Sequence, residues 1–337
     1  MKRLQLLIFF LLFSLNILFP IENPTIVILE SMSVPVVQAH TQSVVENLEQ
    51  LGYSNDRNCK IVIFNADGDY EKAKDFLLHP PKDIHPDIIV SNATLASKAA
   101  AEIYRNSKIP LVFVTVADPV GAGLIEGIGQ PTGTNITGSV YSIDRKIKMD
   151  LIMRVIKSKD FRGPVRVGYV STDYPSSLGE LRELELVAEE RGDIEFISRI
   201  IPFREDSDFK LMLGEAAEQV KELKNQIDYF WEPRGPLGES PAYTEMLLRE
   251  SEHMIIYGNR NDSAEMGALI SFGPDPDIIG REVALMIIGI LDGTPPGEIS
   301  PNPPSGFWLG LNIQTAIREN LVIPTDILEL AKENIFY

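Results

Sequence analysis

The sequence contains little cysteine, histidine and positive charge, and each shortage excludes a class of protein. Cys59 is the only cysteine among 337 residues, so no internal disulfide can form. The four histidines show no metal-ligand spacing, and we expect neither a metal nor a cofactor. With 31 basic against 48 acidic residues the formal net charge is −17, which argues against a nucleic-acid partner because phosphates would be repelled.

Motifs of catalysis are missing as well. The sequence has no P-loop, no GxGxxG and no GxSxG motif. Its acidic runs, such as residues 181–193, are typical of solvated helix faces. We therefore expect no enzyme, although a small-molecule hydrolase on a similar scaffold remains an alternative.

A secretory signal is predicted at the N-terminus. Two basic residues precede an apolar stretch from Leu4 to Phe19, which Pro20 ends. The stretch is short for a membrane span, which needs ~20 apolar residues. We expect residues 1–23 to be a signal peptide cleaved before Thr25, and the protein to be periplasmic or extracytoplasmic. An uncleaved membrane anchor is the alternative.

The rest of the chain alternates apolar strand-like runs with amphipathic helical patterns, twice over. The first series of runs covers residues 25–30, 60–66, 86–92 and 109–116, and the second covers 164–171, 194–201, 227–232, 253–259 and 267–273. Such alternation predicts parallel sheets covered by helices on both faces. The length also exceeds one compact core. The fold class predicted is therefore α/β, with two Rossmann-like lobes joined by a hinge.

The predicted division follows the composition of the linking segments. Lobe 1 is expected over residues 24–140 plus about 268–310, and lobe 2 over 141–267 plus about 311–337, with connectors near 139–142, 264–274 and 306–312. Ligands of open α/β sheets bind at the carboxyl ends of the strands, where helix N-termini favour anionic groups. The strand ends are therefore the candidate site.

Three segments carry a resemblance to a known family. "IPLVFVTVADPVGAGLIEG" (109–127), "GTNITGSVYS" (133–142) and "GALISFGPD" (267–275) resemble the ABC-transporter substrate-binding proteins of the tryptophan/tyrosine-binding type. The resemblance implies a fold like that of type I periplasmic binding proteins, in a monomer. It also implies a small-molecule ligand, such as an amino acid or related carboxylate, and an ABC permease as membrane partner. A sensor feeding a signalling receptor by the same closure is the alternative.

In lobe 1 the candidate ligand-binding residues follow three strands. They are Glu30, Ser31, Met32, Asn92, Ala93, Thr94, Ala117 and Asp118. The resemblance implies that Ala117 and Asp118 form part of the cleft wall. Asp118 could instead only cap the turn after Pro119, and Asn92 or Thr94 could only cap a helix.

In lobe 2 the candidates again follow strands. They are Tyr174, Ser176, Ser177, Trp231, Arg234, Asn259 and Arg260. The serine hydroxyls could hold a ligand carboxylate, or form a capping box with Glu180. Tyr174 could stack on the ligand. Trp231 could be a lid over the ligand or a core residue.

Two arginines depart from the pattern of the resembled family. Arg260 and Arg234 stand where amino-acid-binding relatives tend to carry acidic or small polar residues. An arginine fork suits a carboxylate, not an ammonium. We therefore hypothesise that Arg260, with Arg234, binds an anionic group. In the structural alternative, Arg260 pairs with Asp262 or Glu265, and Arg234 pairs with Glu232 or Glu239.

Overall fold

The computed structural model describes residues 22–159, 161–204, 208–252 and 255–337. Within them the chain forms two lobes, each built on one β-sheet. The predicted signal covers residues 1–23, of which residues 1–21 lie outside the described residues. Among the helices that are described, none is long and apolar enough to cross a membrane.

Lobe 1 is built on parallel strands in the order β2-β1-β3-β4-β5. They are β1 (Thr25–Glu30), β2 (Lys60–Asn65), β3 (Ile88–Asn92), β4 (Leu111–Val116) and β5 (Ile136–Val140). Strand β1 is buried on both faces: Ile26 and Ile28 lie in one apolar cluster, and Val27 and Leu29 lie in another. A parallel strand covered on both sides has a continuous apolar run, which is why the sequence pattern predicts it well.

Lobe 2 is built on a larger, mixed sheet in the order β12-β11-β10-β9-β8-β6-β7. Its strands are β6 (Val165–Thr172), β7 (Ile194–Ile201), β8 (Tyr229–Trp231), β9 (Ile255–Gly258), β10 (Ile270–Pro274), β11 (Phe307–Asn312) and β12 (Ile335–Phe336). The β10–β11 pair is antiparallel, and the other pairs are parallel. The predicted α/β fold class with two lobes is confirmed.

Helices cover both sheets. They are α1 (Pro35–Gln50), α2 (Tyr70–Leu78), α3 (Thr94–Tyr104), α4 (Arg145–Ile156), α5 (Pro175–Arg191), α6 (Phe209–Leu223), α7 (Pro241–Ser251), α8 (Ser263–Met266), α9 (Pro276–Leu291), α10 (Ile313–Arg318) and α11 (Thr325–Ala331). A short 3₁₀ turn, Pro296–Glu298, packs near β5. Helix α9 packs on α1 and therefore belongs to lobe 1, although it follows β10 of lobe 2 directly.

The chain crosses between the lobes three times: after β5, between β10 and α9, and before β11. The sequence-based boundaries at about 268 and 310 assign residues 270–274 and 307–310 to lobe 1, and sheet pairing corrects this. Both segments are strands of the second sheet, because β10 and β11 hydrogen-bond to each other and β10 also pairs with β9. The chain therefore returns to lobe 1 at α9 and to lobe 2 at β11.

Helix α9 is the largest element that the sequence patterns leave unassigned. Asp275 caps it by accepting a hydrogen bond from the Asp277 N–H, and Pro276 occupies its first turn. Ile279, Val283 and Ile287 are fully buried against α1 and the sheet. The helix is apolar on most sides, so its run of hydrophobic residues does not show the alternation of a surface helix.

Candidate functional site

A cavity lies between the two lobes at the carboxyl ends of the strands. The space between its walls amounts to ≈ 380 Å³, which includes volume open to solvent. Its lining consists of Ser31, Met32, Val34, Val37, Ala93, Thr94, Thr115 and Ala117 before the first crossing, Tyr141 at that crossing, and Tyr174, Ser176, Arg234, Gly235, Pro236 and Glu239 from lobe 2. Both lobes therefore form its walls.

The lobe 1 wall follows from strand register. Glu30 of β1 pairs with Asn92 of β3, which in turn pairs with Val114 of β4. The three strands end at one level, so the segments that leave them turn into the same region. This is the edge at which ligands of open α/β sheets bind.

Three helices begin at the cavity without a side-chain cap. Val34 precedes α1, Ala93 precedes α3 and Tyr174 precedes α5, and none of them makes a side-chain cap hydrogen bond. By contrast, Asp69 caps α2, and Asp144 caps α4. Uncapped first turns present backbone N–H donors and the positive end of the helix dipole, although the Ala96 N–H of α3 is already bonded to Ser31 Oγ. This edge of the cavity therefore favours an anionic group.

Arg234 brings a buried positive charge to the lobe 2 wall. The residue is 1% exposed, and its guanidinium donates to the Tyr141 carbonyl at 2.6 Å. It also lies 4.5 Å from the Tyr141 ring centroid, and its Nε lies 3.5 Å from Glu180 Oε1. The second Glu180 oxygen accepts from the Arg234 backbone N–H at 2.8 Å. Glu180 and Tyr141 thus hold the guanidinium against the cavity.

Glu239 brings a carboxylate to the same cavity. Its Oε1 accepts from Asn259 Nδ2 at 3.2 Å and from the Gly235 N–H at 3.4 Å. Burial raises the pKa of the Glu239 carboxyl, and the nearby Arg234 charge opposes that rise. The cavity therefore offers charges of both signs.

The remaining walls combine apolar and aromatic side chains with the hydroxyl groups of Ser31, Thr94, Thr115 and Ser176. Met32, Val37 and Ala117 contribute aliphatic surface from lobe 1. Tyr141 lies at the first chain crossing between the lobes, and the Tyr174 ring packs edge-on against Phe203 with centroids 4.8 Å apart. A few polar groups on an apolar wall are typical of a small-molecule site, in which the polar groups set orientation.

Comparison with known proteins identifies the family. Residues 25–192 and 213–335 match the family described as ABC transporter substrate binding protein. The chain belongs to this family. The predicted resemblance is thereby confirmed, and the family consists of binding proteins.

Relatives of this substrate-binding protein share its fold at low identity. A tyrosine-binding protein of Clostridioides difficile (strain R20291) is 22% identical over 305 residues, covering 90% of this chain and 81% of the relative. A Streptococcus pneumonia ABC domain in complex with L-Trp has a TM-score of 0.77 at 21% identity, covering 94% of this chain and all of that one. A substrate binding protein with adhesive properties from Clostridium difficile, in its ligand-free, open structure, has a TM-score of 0.62 at 20% identity, covering 93% of this chain and 98% of that one.

Eight of the residues predicted from the sequence of this binding protein line the cavity. They are Ser31, Met32, Ala93, Thr94, Ala117, Tyr174, Ser176 and Arg234. Ser31 also has a structural role, because its hydroxyl donates to the Asn92 carbonyl and accepts from the Ala96 N–H, both at 2.9 Å.

Four other predicted residues do not line the cavity and make hydrogen bonds within the protein. Glu30 accepts from Asn65 Nδ2 at 2.9 Å, and Asn92 Nδ2 donates to the Val37 carbonyl at 2.8 Å. Asp118 accepts a hydrogen bond from the Gly121 N–H at 2.7 Å, as expected for the alternative in which it caps the turn after Pro119. Ser177 donates to the Arg234 carbonyl at 2.7 Å. Glu30, Asp118, Ser177 and the amide nitrogen of Asn92 are thus paired within the protein, whereas the buried Asn92 Oδ1 has no hydrogen-bond partner among the described residues.

Trp231 lies in the core of lobe 2 and not over the cavity. It is fully buried, stacks on Tyr257 with centroids 4.1 Å apart and meets Phe196 edge-on at 5.6 Å. Strand β8 lies inside the sheet between β6 and β9, so its last residue is covered by neighbouring elements. The lid interpretation is therefore wrong for this arrangement.

Arg260 is paired within lobe 2. Its guanidinium lies 2.5 Å from Asp262 Oδ1, donates to Thr244 Oγ1 at 2.7 Å and lies 4.0 Å from Glu232. With Asn259 it lines a second cavity, ≈ 570 Å³, which shares Tyr141 and Glu239 with the first. These contacts match the structural alternative, in which Arg260 pairs with Asp262. Arg234, by contrast, pairs with Glu180 and not with Glu232 or Glu239, the two partners that the sequence suggests.

The sequence patterns miss seven lining residues. They are Val34, Val37, Thr115, Tyr141, Gly235, Pro236 and Glu239. Thr115 lies within an apolar strand, and Glu239 precedes the Ser-Pro pair that begins α7, so neither position shows a ligand signal of its own. For Glu239, an acidic residue just before a helix is an ordinary surface pattern.

Proposed function

We propose that this substrate-binding protein binds an amino acid with an apolar or aromatic side chain in the inter-lobe cavity. It would act outside the cytoplasmic membrane and deliver that ligand to an ABC permease. The observation that carries the proposal is the presence of two oppositely charged, buried residues, Arg234 and Glu239, in the wall of one largely apolar cavity. A zwitterion satisfies both charges, whereas an uncharged ligand satisfies neither.

Each part of an amino acid has a partner in the proposed binding mode. The carboxylate lies among the uncapped N-termini of α1, α3 and α5, with Arg234 nearby. The ammonium lies against the Glu239 carboxylate. The side chain packs on Met32, Tyr141 and Tyr174. Relatives that bind L-Trp or tyrosine support this ligand class.

Transport function follows from closure of the lobes. Because the cavity has walls from both lobes, a ligand within it contacts both and stabilises the closed arrangement. Three chain crossings join the lobes and are the proposed hinge. A membrane permease would then recognise the closed form, and the family description, which names an ABC transporter, supports a permease as partner.

A ligand screen tests the proposal. Purified protein is screened by thermal shift with L-tryptophan, L-tyrosine and L-phenylalanine, with the matching carboxylic acids that lack the ammonium, and with sugars. We expect only the amino acids to raise the melting temperature, and the radius of gyration from X-ray scattering to decrease when they bind. If the simple carboxylic acids bound equally well, the proposed ligand class would change from amino acids to anionic carboxylates. Binding of sugars alone would contradict the ligand class.

A further inference from the structure

The end of strand β4 contains a strained residue. Thr115 has φ 59°, in the left-handed region that a β-branched side chain rarely adopts. Ala93, at the end of the neighbouring strand β3, has φ 71° and ψ 169°, a combination that is largely confined to glycine. The two lie side by side, since the Ala93 N–H donates to the Val114 carbonyl at 2.9 Å.

The strain at Thr115 coincides with an irregular strand pairing. Strands β4 and β5 pair regularly up to Phe113, and the register then shifts before Val116. An irregularity of this kind breaks the alternation of the strand and re-aims the side chain at that position. Thr115 is thus oriented by a local backbone distortion and not by the regular pleat.

The re-aimed side chain carries an unpaired hydroxyl. Thr115 is 7% exposed and lines the inter-lobe cavity. Among the described residues, its buried Oγ1 has no hydrogen-bond partner. A buried hydroxyl without a partner and a β-branched residue in the left-handed region both cost stability. Folding alone gains nothing from either feature.

We propose that Thr115 is a ligand-contacting residue, whose hydroxyl donates a hydrogen bond to the ligand beside the N-terminus of α3. This inference rests on the amino-acid ligand proposed above, and it adds a side-chain donor at the place assigned to the carboxylate. The ligand supplies the partner that the hydroxyl lacks, so binding compensates the unsatisfied group. The backbone strain is the means by which the strand end presents the hydroxyl.

The position of Thr115 agrees with this role. Ala93 separates β3 from α3, so the neighbouring Thr115 lies next to the first turn of that helix. The helix N–H groups and the threonine hydroxyl are all donors, and together they match the acceptor oxygens of one carboxylate. Asp118 is the acidic residue nearest to Thr115 along the chain, and its carboxylate accepts a hydrogen bond from the Gly121 N–H.

The main test is Thr115→Val, which keeps the shape of the side chain and removes the hydroxyl. The probe is whichever of L-tryptophan, L-tyrosine and L-phenylalanine the wild type binds most tightly in the calorimeter. We expect Thr115→Val to weaken that binding by about ten- to a hundred-fold, the loss of a hydrogen bond to a charged group. Thr115→Ser, which keeps the hydroxyl, should retain most of the affinity.

A second measurement separates ligand contact from structural support. Thr115→Gly should raise the melting temperature of the ligand-free protein by about 2–4 °C, because glycine adopts this φ without strain, and it should also weaken binding. The matched control for strain is Glu252→Gly, at φ 59° outside the cavity, which should leave affinity unchanged. The control for the hydroxyl is Ser139→Ala, whose buried Oγ likewise has no partner in the part of the chain that the structure describes, and which does not line the cavity.

The outcomes distinguish the two proposals. If the wild type binds none of the three amino acids, the proposed ligand class fails and this inference fails with it. If the wild type binds but Thr115→Val binds equally well, only the role of Thr115 is overturned. A large fall in the melting temperature of Thr115→Gly would also overturn it, because the residue would then be structural.

Discussion

The two lobes differ in what they bring to the cavity between them. Lobe 1 presents small side chains and backbone: Ser31, Ala93, Thr94 and Ala117 follow its strands, and two of its helices begin there without caps. Lobe 2 presents long charged side chains, of which Arg234 is held by Glu180. In the proposed binding mode, lobe 1 supplies backbone donors and lobe 2 supplies charge complementarity.

This difference determines how each lobe should respond to mutation. Apart from Thr115, whose hydroxyl is proposed to contact the ligand, a wall made of small side chains and backbone is changed little by removing one side chain. A wall made of buried charges is sensitive, because removing one charge leaves its partner uncompensated. The strongest effects of substitution are therefore expected in lobe 2.

The largest effect is expected for Arg234→Met. It removes the charge that faces the buried Glu180 and the hydrogen bond to the Tyr141 carbonyl. We expect the free energy of unfolding to fall by about 3–5 kcal/mol, as measured by urea denaturation. The control is Arg154→Met, which breaks an exposed pair with Asp326 and should cost less than about 1 kcal/mol. Equal losses for the two variants would show that the buried charge at the cavity wall is no more sensitive than an exposed one.

The next effect is on ligand affinity and concerns Glu239→Gln. The amide keeps the shape of the side chain and removes the charge proposed to face the ligand ammonium. We expect amino-acid binding to weaken by about 1.5–3 kcal/mol in calorimetry, with little change in stability. Glu245→Gln, an exposed carboxylate on α7, should bind as the wild type does. Unchanged affinity in Glu239→Gln would place the ammonium elsewhere.

A smaller effect on stability tests whether Trp231 is a core residue of lobe 2 or part of the ligand site. Trp231→Phe should lower the free energy of unfolding by about 1–3 kcal/mol, because the indole is fully buried between Tyr257 and Phe196. Ligand affinity should stay within experimental error. Trp308→Phe, at a partly exposed position of β11, should cost less. A large loss of affinity in the first variant would restore the lid interpretation.

The smallest effect on binding is expected for Arg260→Lys. The arginine is engaged by Asp262 and Thr244, so its substitution should change ligand affinity less than about threefold. Titration calorimetry with the same amino acid measures this. A loss of tenfold or more would show that Arg260 contacts the ligand after all, and would extend the site into the second cavity.

Strand-end reasoning predicted the lobe 1 wall better than the lobe 2 wall. In lobe 1, five of eight candidates line the cavity, and the other three hold neighbouring segments in place. In lobe 2, Trp231 lies in the core of its own lobe, and the Arg260 guanidinium is engaged by Asp262 and Thr244. A strand end specifies where the backbone lies, which is sufficient for small residues. It does not specify where a long side chain is directed, because that depends on partners distant in sequence.

The sequence by itself determined the two α/β lobes, the family and the edge of the sheets that holds the site. These follow from hydrophobic periodicity and from segments contiguous along the chain. Only the tertiary structure decided that α9 returns to lobe 1, that Arg234 faces Glu180 across 54 residues, and that Glu239 joins the cavity. Only the tertiary structure showed the left-handed conformation of Thr115, since a strand-like sequence carries no signal for a single reversed φ. Each of these features depends on contacts between distant segments, and local patterns cannot encode which distant partner a buried group meets.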